Sequence, residues 1–565
     1  MEFNSIKTGF FSMEIGLKDS IPTFAGGLGV LAGDALKSCA DLQLPVGGLT
    51  LLYRKGYFRQ RIEQGRQTEE EQSWDPSEEL KKLDNRVVVR IKGEDVHIGC
   101  WMYELEGVTG QKRPVLFLDP DTEQNSDYFR RVCDRLYQGD QKDRIAQEMI
   151  LGIGGVKMLQ SLGYSIEKYH MNEGHTSFLA LELLRKLAET SDDYSKRLDS
   201  VRSMCVFTTH TPVPAGHDRF DKGLVTEMAG EYLPPEPEAR IFDGNELNMT
   251  HLGLRFSGYI NGVARKHSRV SKKMFPEHDI ESITNGVHLR TWISEPFRKL
   301  FDRYIMEWQE DPFSLRAALN IPEQDIWDAH MCAKKMLLDD VNERTGIGMD
   351  MDAFTIGFAR RFVMYKRPDL IFHDLERLRK IAREKGAVQI IFSGKAHPGD
   401  SAGKGLIDQI TDIQQQVNQA DDNINVAFLD NYNMKIAKRM ISGCDIWLNN
   451  PRRPHEASGT SGMKAALNGV PHFSTLDGWW LEGHIEDITG WCIGLHPKDP
   501  KFDEDVSPDD EAEDFYDKLE SNILPVFYDD KDRWQKIMRN CIAINGSFFN
   551  THRMMQQYVM EAYFK

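Results

Sequence analysis

The 565-residue sequence has no run of roughly 18 consecutive apolar residues, the length a membrane-spanning helix needs. Its first residues, Met1-Glu2-Phe3-Asn4-Ser5, lack the basic and then apolar pattern of a secretory leader, so the expected location is cytoplasmic. Positive charge is in deficit. Lys and Arg number 70 against 87 Asp and Glu, a formal net charge of −17, which argues against a nucleic-acid surface because phosphate backbones are held by basic patches. The eight cysteines include no Cys-x-x-Cys pair, which argues against a zinc ribbon or a disulfide framework and fits reduced thiols. Cys205, Cys444 and Cys492 lie beside apolar runs and are expected in the core. Internal repeats and low-complexity linkers are missing. The acidic runs Thr68-Glu69-Glu70-Glu71 and Asp503-Glu504-Asp505 are expected to be solvated loops. No His-Glu-x-x-His spacing occurs, so no metal is expected at the histidine segments Tyr169-His170-Met171-Asn172-Glu173-Gly174-His175 and Thr208-Thr209-His210-Thr211-Pro212-Val213-Pro214-Ala215-Gly216-His217.

A chain of this length exceeds one ordinary core, and two large domains are expected. The clearest organisation lies in the second half. Residues 353–358, 388–393, 424–429 and 444–448 have the composition of buried strands, with helical patterns at 369–383, 405–417 and 434–442 between them. Such alternation gives parallel βαβ units in a doubly wound sheet, whose ligands bind outside the carboxyl ends of the strands. The first half is more mixed, with an early strand at 8–13, a helix at 30–42, hairpin-like pieces at 85–91 and 95–103, and helices over 144–188. It is expected to form a second α/β domain with insertions. The turn signal Thr284-Asn285-Gly286 places the boundary, giving domains 1–284 and 285–565, with the last helices packing back on the first domain.

The loops hold the chemistry. In Glu456-Ala457-Ser458-Gly459-Thr460-Ser461-Gly462-Met463-Lys464, small and hydroxyl residues precede helix formers. Ser458, Thr460 or Ser461 is expected to cap a helix whose free amides and dipole suit a phosphate. Lys464 follows Thr460 by one turn on the same face. That arrangement suits an aldehyde cofactor carrying a phosphate, namely pyridoxal phosphate; the alternative is a capped helix with a surface lysine. The run Arg360-Arg361-Phe362-Val363-Met364-Tyr365-Lys366-Arg367 places four cations directly after a core strand. They cannot point inward unpaired, so they hold anions or lie on a solvated rim. The loop Gly26-Gly27-Leu28-Gly29 follows a possible strand, but no acidic residue closes a second strand about 20 residues on, so its amides are expected to approach an anion other than NAD. His210, after the apolar run 205–207, is expected to hydrogen-bond a polar substrate.

Together these segments resemble the α-glucan phosphorylase family (glycogen, starch and maltodextrin phosphorylases). The strongest match runs from Glu456 to Lys464 and on through Leu467-Asn468-Gly469 and Thr475-Leu476-Asp477-Gly478. Agreement in order extends to Asn172-Glu173-Gly174-His175, Thr209-His210-Thr211, Thr284-Asn285-Gly286, Arg360-Arg361, Tyr365-Lys366-Arg367, Gly394-Lys395-Ala396-His397-Pro398-Gly399 and Asn431-Tyr432. The resemblance implies two Rossmann-like doubly wound α/β domains facing a central cleft, a GT-B-type architecture. It also implies retaining phosphorolysis of an α-1,4-glucan by inorganic phosphate to α-D-glucose 1-phosphate. Lys464 would hold pyridoxal phosphate, whose phosphate Arg360, Lys366, Thr460 and Ser461 would grip. Arg361, Lys366, His210 and Gly27 would act in the phosphorolysis itself, Arg361 and Gly27 by positioning inorganic phosphate. Asn285, Glu456, Ser458, Gly459 and Tyr432, with His210, would hold the glucosyl unit. A homodimer is the implied assembly.

There are departures from the family pattern. Only about 23 residues precede the glycine loop, so the long regulatory segment of some members has no counterpart and a simple, unregulated enzyme is expected. Ser461-Gly462 and Trp479-Trp480 are similar to the compact prokaryotic branch. Glu173 stands where long members carry Asp, Arg360 where they carry Lys, and Val363-Met364 replaces a polar pair. Three rivals compete: a nucleotide-sugar glycosyltransferase, a pyridoxal enzyme of amino acids, and a non-catalytic glucan-binding protein. The first and third do not need Lys464 poised for an aldehyde, and the second does not need the cations of 360–367.

Overall fold

A computed structural model describes residues 6–137, 139–213, 216–420, 423–502, 504 and 506–564. The leader reading at 1–5, Pro214-Ala215 of the second histidine segment, and Asp503 and Asp505 of the acidic run lie outside the described residues. The chain divides into two units. One comprises Met1–Phe58, Glu71–Thr284 and Thr551–Lys565; the other comprises Arg59–Glu70 and Asn285–Asn550.

Strands in the first half are β1 (Thr8–Phe11), β2 (Val46–Leu51), β3 (Arg59–Glu63), β4 (Arg66–Glu70), β5 (Lys81–Ile91), β6 (Glu94–Glu106), β7 (Lys112–Asp119), β8 (Lys168–Asn172) and β9 (Cys205–Thr208). They continue with β10 (Arg219–Asp221), β11 (Glu246–Asn248), β12 (Tyr259–Gly262) and β13 (Glu281–Ser282). In the first unit a nine-stranded sheet runs β13-β12-β9-β8-β1-β2-β7-β6-β5. The pairs from β13 to β7 are parallel, and the hairpin β5–β6 adds antiparallel strands beyond β7. Winding therefore reverses between β1 and β8, which brings the loops after these two strands together at the carboxyl edge.

The second unit carries β14 (Phe354–Ala359), β15 (Val388–Ser393), β16 (Ile424–Leu429), β17 (Ile446–Asn449), β18 (His472–Thr475) and β19 (Gly490–Ile493). All pairs are parallel, in the order β16-β15-β14-β17-β18-β19. This is the doubly wound order with its switch point between β14 and β17. Their continuous apolar runs reflect strands buried on both faces. A buried charge network fixes the central pair. Asp445, just before β17, accepts from Lys334 Nζ (2.7 Å), His330 Nε2 (2.8 Å) and the Thr355 amide of β14 (2.7 Å). Gly357 lets β14 and β17 approach, because a Cβ there would lie 2.5 Å from Cys444 Sγ.

Several expectations need correction. The 369–383 helix divides into a short turn, Leu370–Phe372, and the helix Leu375–Lys385, because the Asp374 carboxylate caps the latter by accepting from the Arg377 amide. Glu69 and Glu70 are not in a solvated loop; they end β4, where Glu69 pairs with Lys404 at 2.7 Å. The boundaries 1–284 and 285–565 miss two exchanges of chain. The β3–β4 hairpin belongs to the second unit because its Gln60 and Gln67 bond the loops after β15 and β16. The helices Pro508–Lys518, Leu524–Asp529 and Lys531–Asn540 stay in that unit, where Tyr516 donates to Ile371 O (2.9 Å). Only the tail from Thr551 belongs to the first unit: Tyr558 bonds Thr208 (3.1 Å) and Asn261 (3.0 Å), and Tyr563 bonds His170 (2.7 Å). The core holds Cys205, Cys444 and Cys492, and all eight thiols are free. Among the described residues no helix is long and apolar enough to cross a membrane.

Candidate active site

In the second unit the loops after β14 and β17, at the switch point, carry the cations and the lysine. Arg360 Nη2 and Lys366 Nζ both donate to one oxygen of Glu456, Arg360 at 2.5 Å. Sequence reasoning gave Arg360 and Lys366 to the cofactor phosphate and Glu456 to the glucosyl unit, whereas the fold joins all three in one ion-paired cluster. Two cations meet one carboxylate, so the group keeps a positive excess. Burial and the adjacent Arg360 lower the Lys366 amine to about 7, against the pull of Glu456. Burial would raise the Glu456 carboxyl, but Arg360 and Lys366 outweigh it and hold it at about 2. The Lys366 amine also lies 4.4 Å from the centre of the Tyr365 ring.

The cluster leaves donors unused. Arg360 Nε and Nη1 are buried without a hydrogen-bond partner among the described residues, as is Ser458 Oγ. Buried guanidinium N–H groups are costly when unsatisfied, and a bound anion is the ligand that matches them. Ser461 Oγ accepts from Trp447 Nε1 (3.0 Å) and Asn449 Nδ2 (3.1 Å), which leaves its own proton to donate. Arg361 is exposed on the same loop, with no hydrogen bond or ion pair among the described residues. Arg367 turns away, donating to Asn450 O at 2.8 Å and pairing with Glu511 at 2.5 Å. Tyr432, after β16, feels Arg360, yet burial pushes its phenol up to about 12.

The helix Thr460–Ala466 begins where expected, but its cap differs. Neither Ser458, Thr460 nor Ser461 caps it. Gly459 is the N-cap, in the left-handed region at φ +83, and no side-chain cap bond is made among the described residues. The loop is held from outside instead: Asp477 Oδ2 accepts from the Glu456 amide (2.8 Å), and the Trp479 amide donates to Ser458 O (2.9 Å). Lys464 is buried rather than on the surface, its amine 3.9 Å from the centre of the Trp292 ring. Asn468 ties this helix to the Trp292 segment by donating to Lys464 O and Trp292 O, both at 3.0 Å, and accepting from the Ser294 amide at 2.8 Å. Asn285 is buried at the start of the second unit.

In the first unit the glycine loop follows β1 and leads into the helix Gly27–Asp41. Its amides already meet an anion, and that anion is Glu14: Oε2 accepts from Ala25 N (2.6 Å) and Gly26 N (3.1 Å), and Oε1 from Tyr137 (2.9 Å). A Cβ at Gly27 would meet nothing within 4 Å, so the space beside it is open. Replacing Glu14 by Ala is expected to lower the unfolding free energy by about 1–3 kcal/mol, the scale of losing hydrogen bonds from half-buried donors to a carboxylate. Urea denaturation measures the loss, and faster hydrogen exchange at Ala25 and Gly26 locates it.

His210 follows β9. Its Nε2 bonds Asn172 Oδ1 at 2.7 Å, while Asn172 Nδ2 donates to Ser12 at 3.1 Å. This chain of contacts puts the proton on Nε2 and leaves the Nδ1 lone pair for a hydroxyl donor. Burial keeps the ring neutral, well below the usual histidine range. Glu173 holds the segment, accepting from His210 N (2.7 Å) and Thr211 Oγ1 (2.9 Å) at a φ of +85.

Sequence reasoning missed Glu14 and Trp292, and it had Asp477 in the family match without a role for it. An acidic residue directly after the strand that precedes a glycine loop was the available signal for the first. The carbohydrate phosphorylase family profile matches residues 23–103 and 237–489. Maltodextrin phosphorylase of Thermococcus litoralis is 38% identical over 98% of this chain and 70% of its own length. Glycogen phosphorylase of Aquifex aeolicus is 34% identical over 98% of this chain and 86% of its own. An uncharacterized protein of Methanocaldococcus jannaschii is 32% identical over 98% and 99%. The chain belongs to the carbohydrate phosphorylase family.

Proposed function

We propose that this protein is an α-1,4-glucan phosphorylase that transfers the non-reducing glucosyl unit of an α-glucan to inorganic phosphate, reversibly and with retention, using pyridoxal 5'-phosphate. The observation that carries the reading is the cation cluster at the switch point, with its unsatisfied Arg360 N–H groups on the loop beside the one that leads to Lys464. The donor set fits the cofactor: a buried primary amine at Lys464, two spare N–H groups on Arg360 and a spare hydroxyl proton on Ser461. Lys464 would hold its aldehyde, and Arg360, Lys366, Thr460 and Ser461 its phosphate. Held there, the cofactor would supply a phosphate that can give and take a proton.

The protein's own groups do the rest. Two phosphates brought together repel, so one favours a shared proton, and the positive excess of Arg360, Lys366 and Arg361 makes their approach affordable. The same charges stabilise the pairing of an oxocarbenium-like glucosyl with phosphate. Arg361, exposed and uncommitted, takes the incoming phosphate. In the second unit Glu456, Ser458, Gly459, Asn285 and Tyr432 serve glucosyl hydroxyls; in the first, His210 offers its Nδ1 lone pair to a hydroxyl donor.

The test follows α-D-glucose 1-phosphate formed from maltodextrin and inorganic phosphate by the cofactor-loaded protein. Product that depends on phosphate is expected. A loaded protein that forms none across several glucan lengths would overturn the reading in favour of nucleotide-sugar transfer.

A further inference from the structure

The β3–β4 hairpin carries two buried glutamines, Gln60 and Gln67, on a segment that sequence reasoning assigned no role. Gln60 Nε2 donates to Gly394 O and to Gln67 Oε1, both at 2.8 Å, and Gln60 Oε1 accepts from the Asn431 amide at 2.8 Å. Gln67 Oε1 also accepts from the Ala396 amide (3.0 Å), while its Nε2 donates to Ala396 O (2.9 Å) and to Glu69 (2.7 Å). Each donor and acceptor is used, so turning either amide over would oppose donor to donor. The orientation of both side chains is thereby set.

The backbone groups they satisfy belong to the loops after β15 and β16. Those loops lead to the site on both sides. Past Gly394, the Lys395 carbonyl accepts from the Phe362 amide at 3.0 Å, and Ser393 O accepts from the Arg360 amide at 3.2 Å. Gly394 passes so close to Arg360 that a Cβ on it would lie 2.0 Å from Arg360 O. Past Asn431, which sits in the left-handed region at φ +56, comes Tyr432. The turn of the hairpin is anchored separately, by Thr411 Oγ1 donating to Gly65 O at 2.6 Å and by Arg66 pairing with Asp408 at 2.7 Å.

We propose that Gln60 and Gln67 are positioning residues for the phosphorolysis: together they hold the Gly394–Ala396 and Asn431–Tyr432 loops so that Arg360, Arg361 and Tyr432 meet their ligands in register. The inference rests on the proposed phosphorylase reading. Gln60→Met keeps length and removes all three side-chain bonds. It lowers kcat/KM by about 10²-fold, the scale of an ångström-sized misplacement, with the loss mainly in kcat. Gln67→Glu keeps both accepting contacts and loses the donors to Ala396 O and Glu69, and it gives a smaller loss of the same kind. Thr411→Val loosens the hairpin turn without touching either loop and leaves kcat unchanged.

The experiment measures kcat per bound cofactor, KM for phosphate and for maltodextrin, cofactor content and melting temperature of each loaded variant. Lowered kcat per bound cofactor in both glutamine variants, with Thr411→Val at the wild-type value, supports positioning. Wild-type kcat per bound cofactor in Gln67→Glu and in any folded Gln60→Met overturns it, as do losses in all three variants that simply follow melting temperature. An inactive wild-type protein overturns the functional reading instead, so the two failures are distinct.

Discussion

Lys464→Ala is expected to abolish phosphorolysis and to lose the absorbance band of bound pyridoxal phosphate, while the protein stays folded. The amine sits on the helix Thr460–Ala466, buried and 3.9 Å from the centre of the Trp292 ring. A cation in that position gains on the order of 0.5–2 kcal/mol from the ring, which the alanine variant forfeits, and circular dichroism checks that the variant is folded. Its loss therefore tests chemistry more than stability. Lys464→Arg sharpens the point: it retains charge and can lie over the same ring, but it offers no nucleophilic amine to an aldehyde. Both variants should be inactive, and both should still bind inorganic phosphate through Arg361. Substantial activity in Lys464→Arg would mean that charge, and not a covalent hold on the cofactor, is what the position supplies.

How much of this was legible follows from the range of each interaction. Strands of the second unit are visible as apolar runs because both faces of a parallel sheet are buried, and β15 and β16 lie where composition puts them. Spacing also locates the Lys464 helix within its own segment. Partnership across the chain is another matter. Four cations after β14 require an anion, but that it is Glu456 follows only once winding sets β14 beside β17. Likewise the turn residues around Ser458 advertise a cap, yet the loop is fixed by Asp477 and the Trp479 amide from outside its own segment, and Gly459 takes the N-cap position. The β3–β4 hairpin is the extreme case. Its allegiance depends on Gln60 and Gln67 meeting backbone groups more than 300 positions away, as in the 334-residue separation of Gln60 and Gly394, and no local pattern encodes such a pairing.

The Arg360–Lys366–Glu456 cluster makes anion binding depend on pH with a definite sign. Burial and Arg360 lower the Lys366 amine to about 7, so it is charged below that pH and neutral above it. A bound dianion favours the protonated amine, and affinity falls as pH rises through 7, toward a limit of about tenfold per pH unit until the amine of the complex itself titrates. Sulfate keeps its charge across this range, whereas inorganic and cofactor phosphate titrate within it, so sulfate binding to the cofactor-free protein isolates the protein's contribution. Glu456 is the group that sustains the charge on Lys366. Glu456→Gln keeps the shape, leaves two cations facing each other, and should move the midpoint of sulfate binding below 7. Phosphorolysis at neutral pH should fall by about 10²–10³-fold, since a glucosyl contact and a positioned charge are lost together. A midpoint that stays at 7 in Glu456→Gln, or rises, would show that Lys366 is not the titrating group. A midpoint that shifts down with little loss of activity would keep the electrostatics and remove Glu456 from the glucosyl contact.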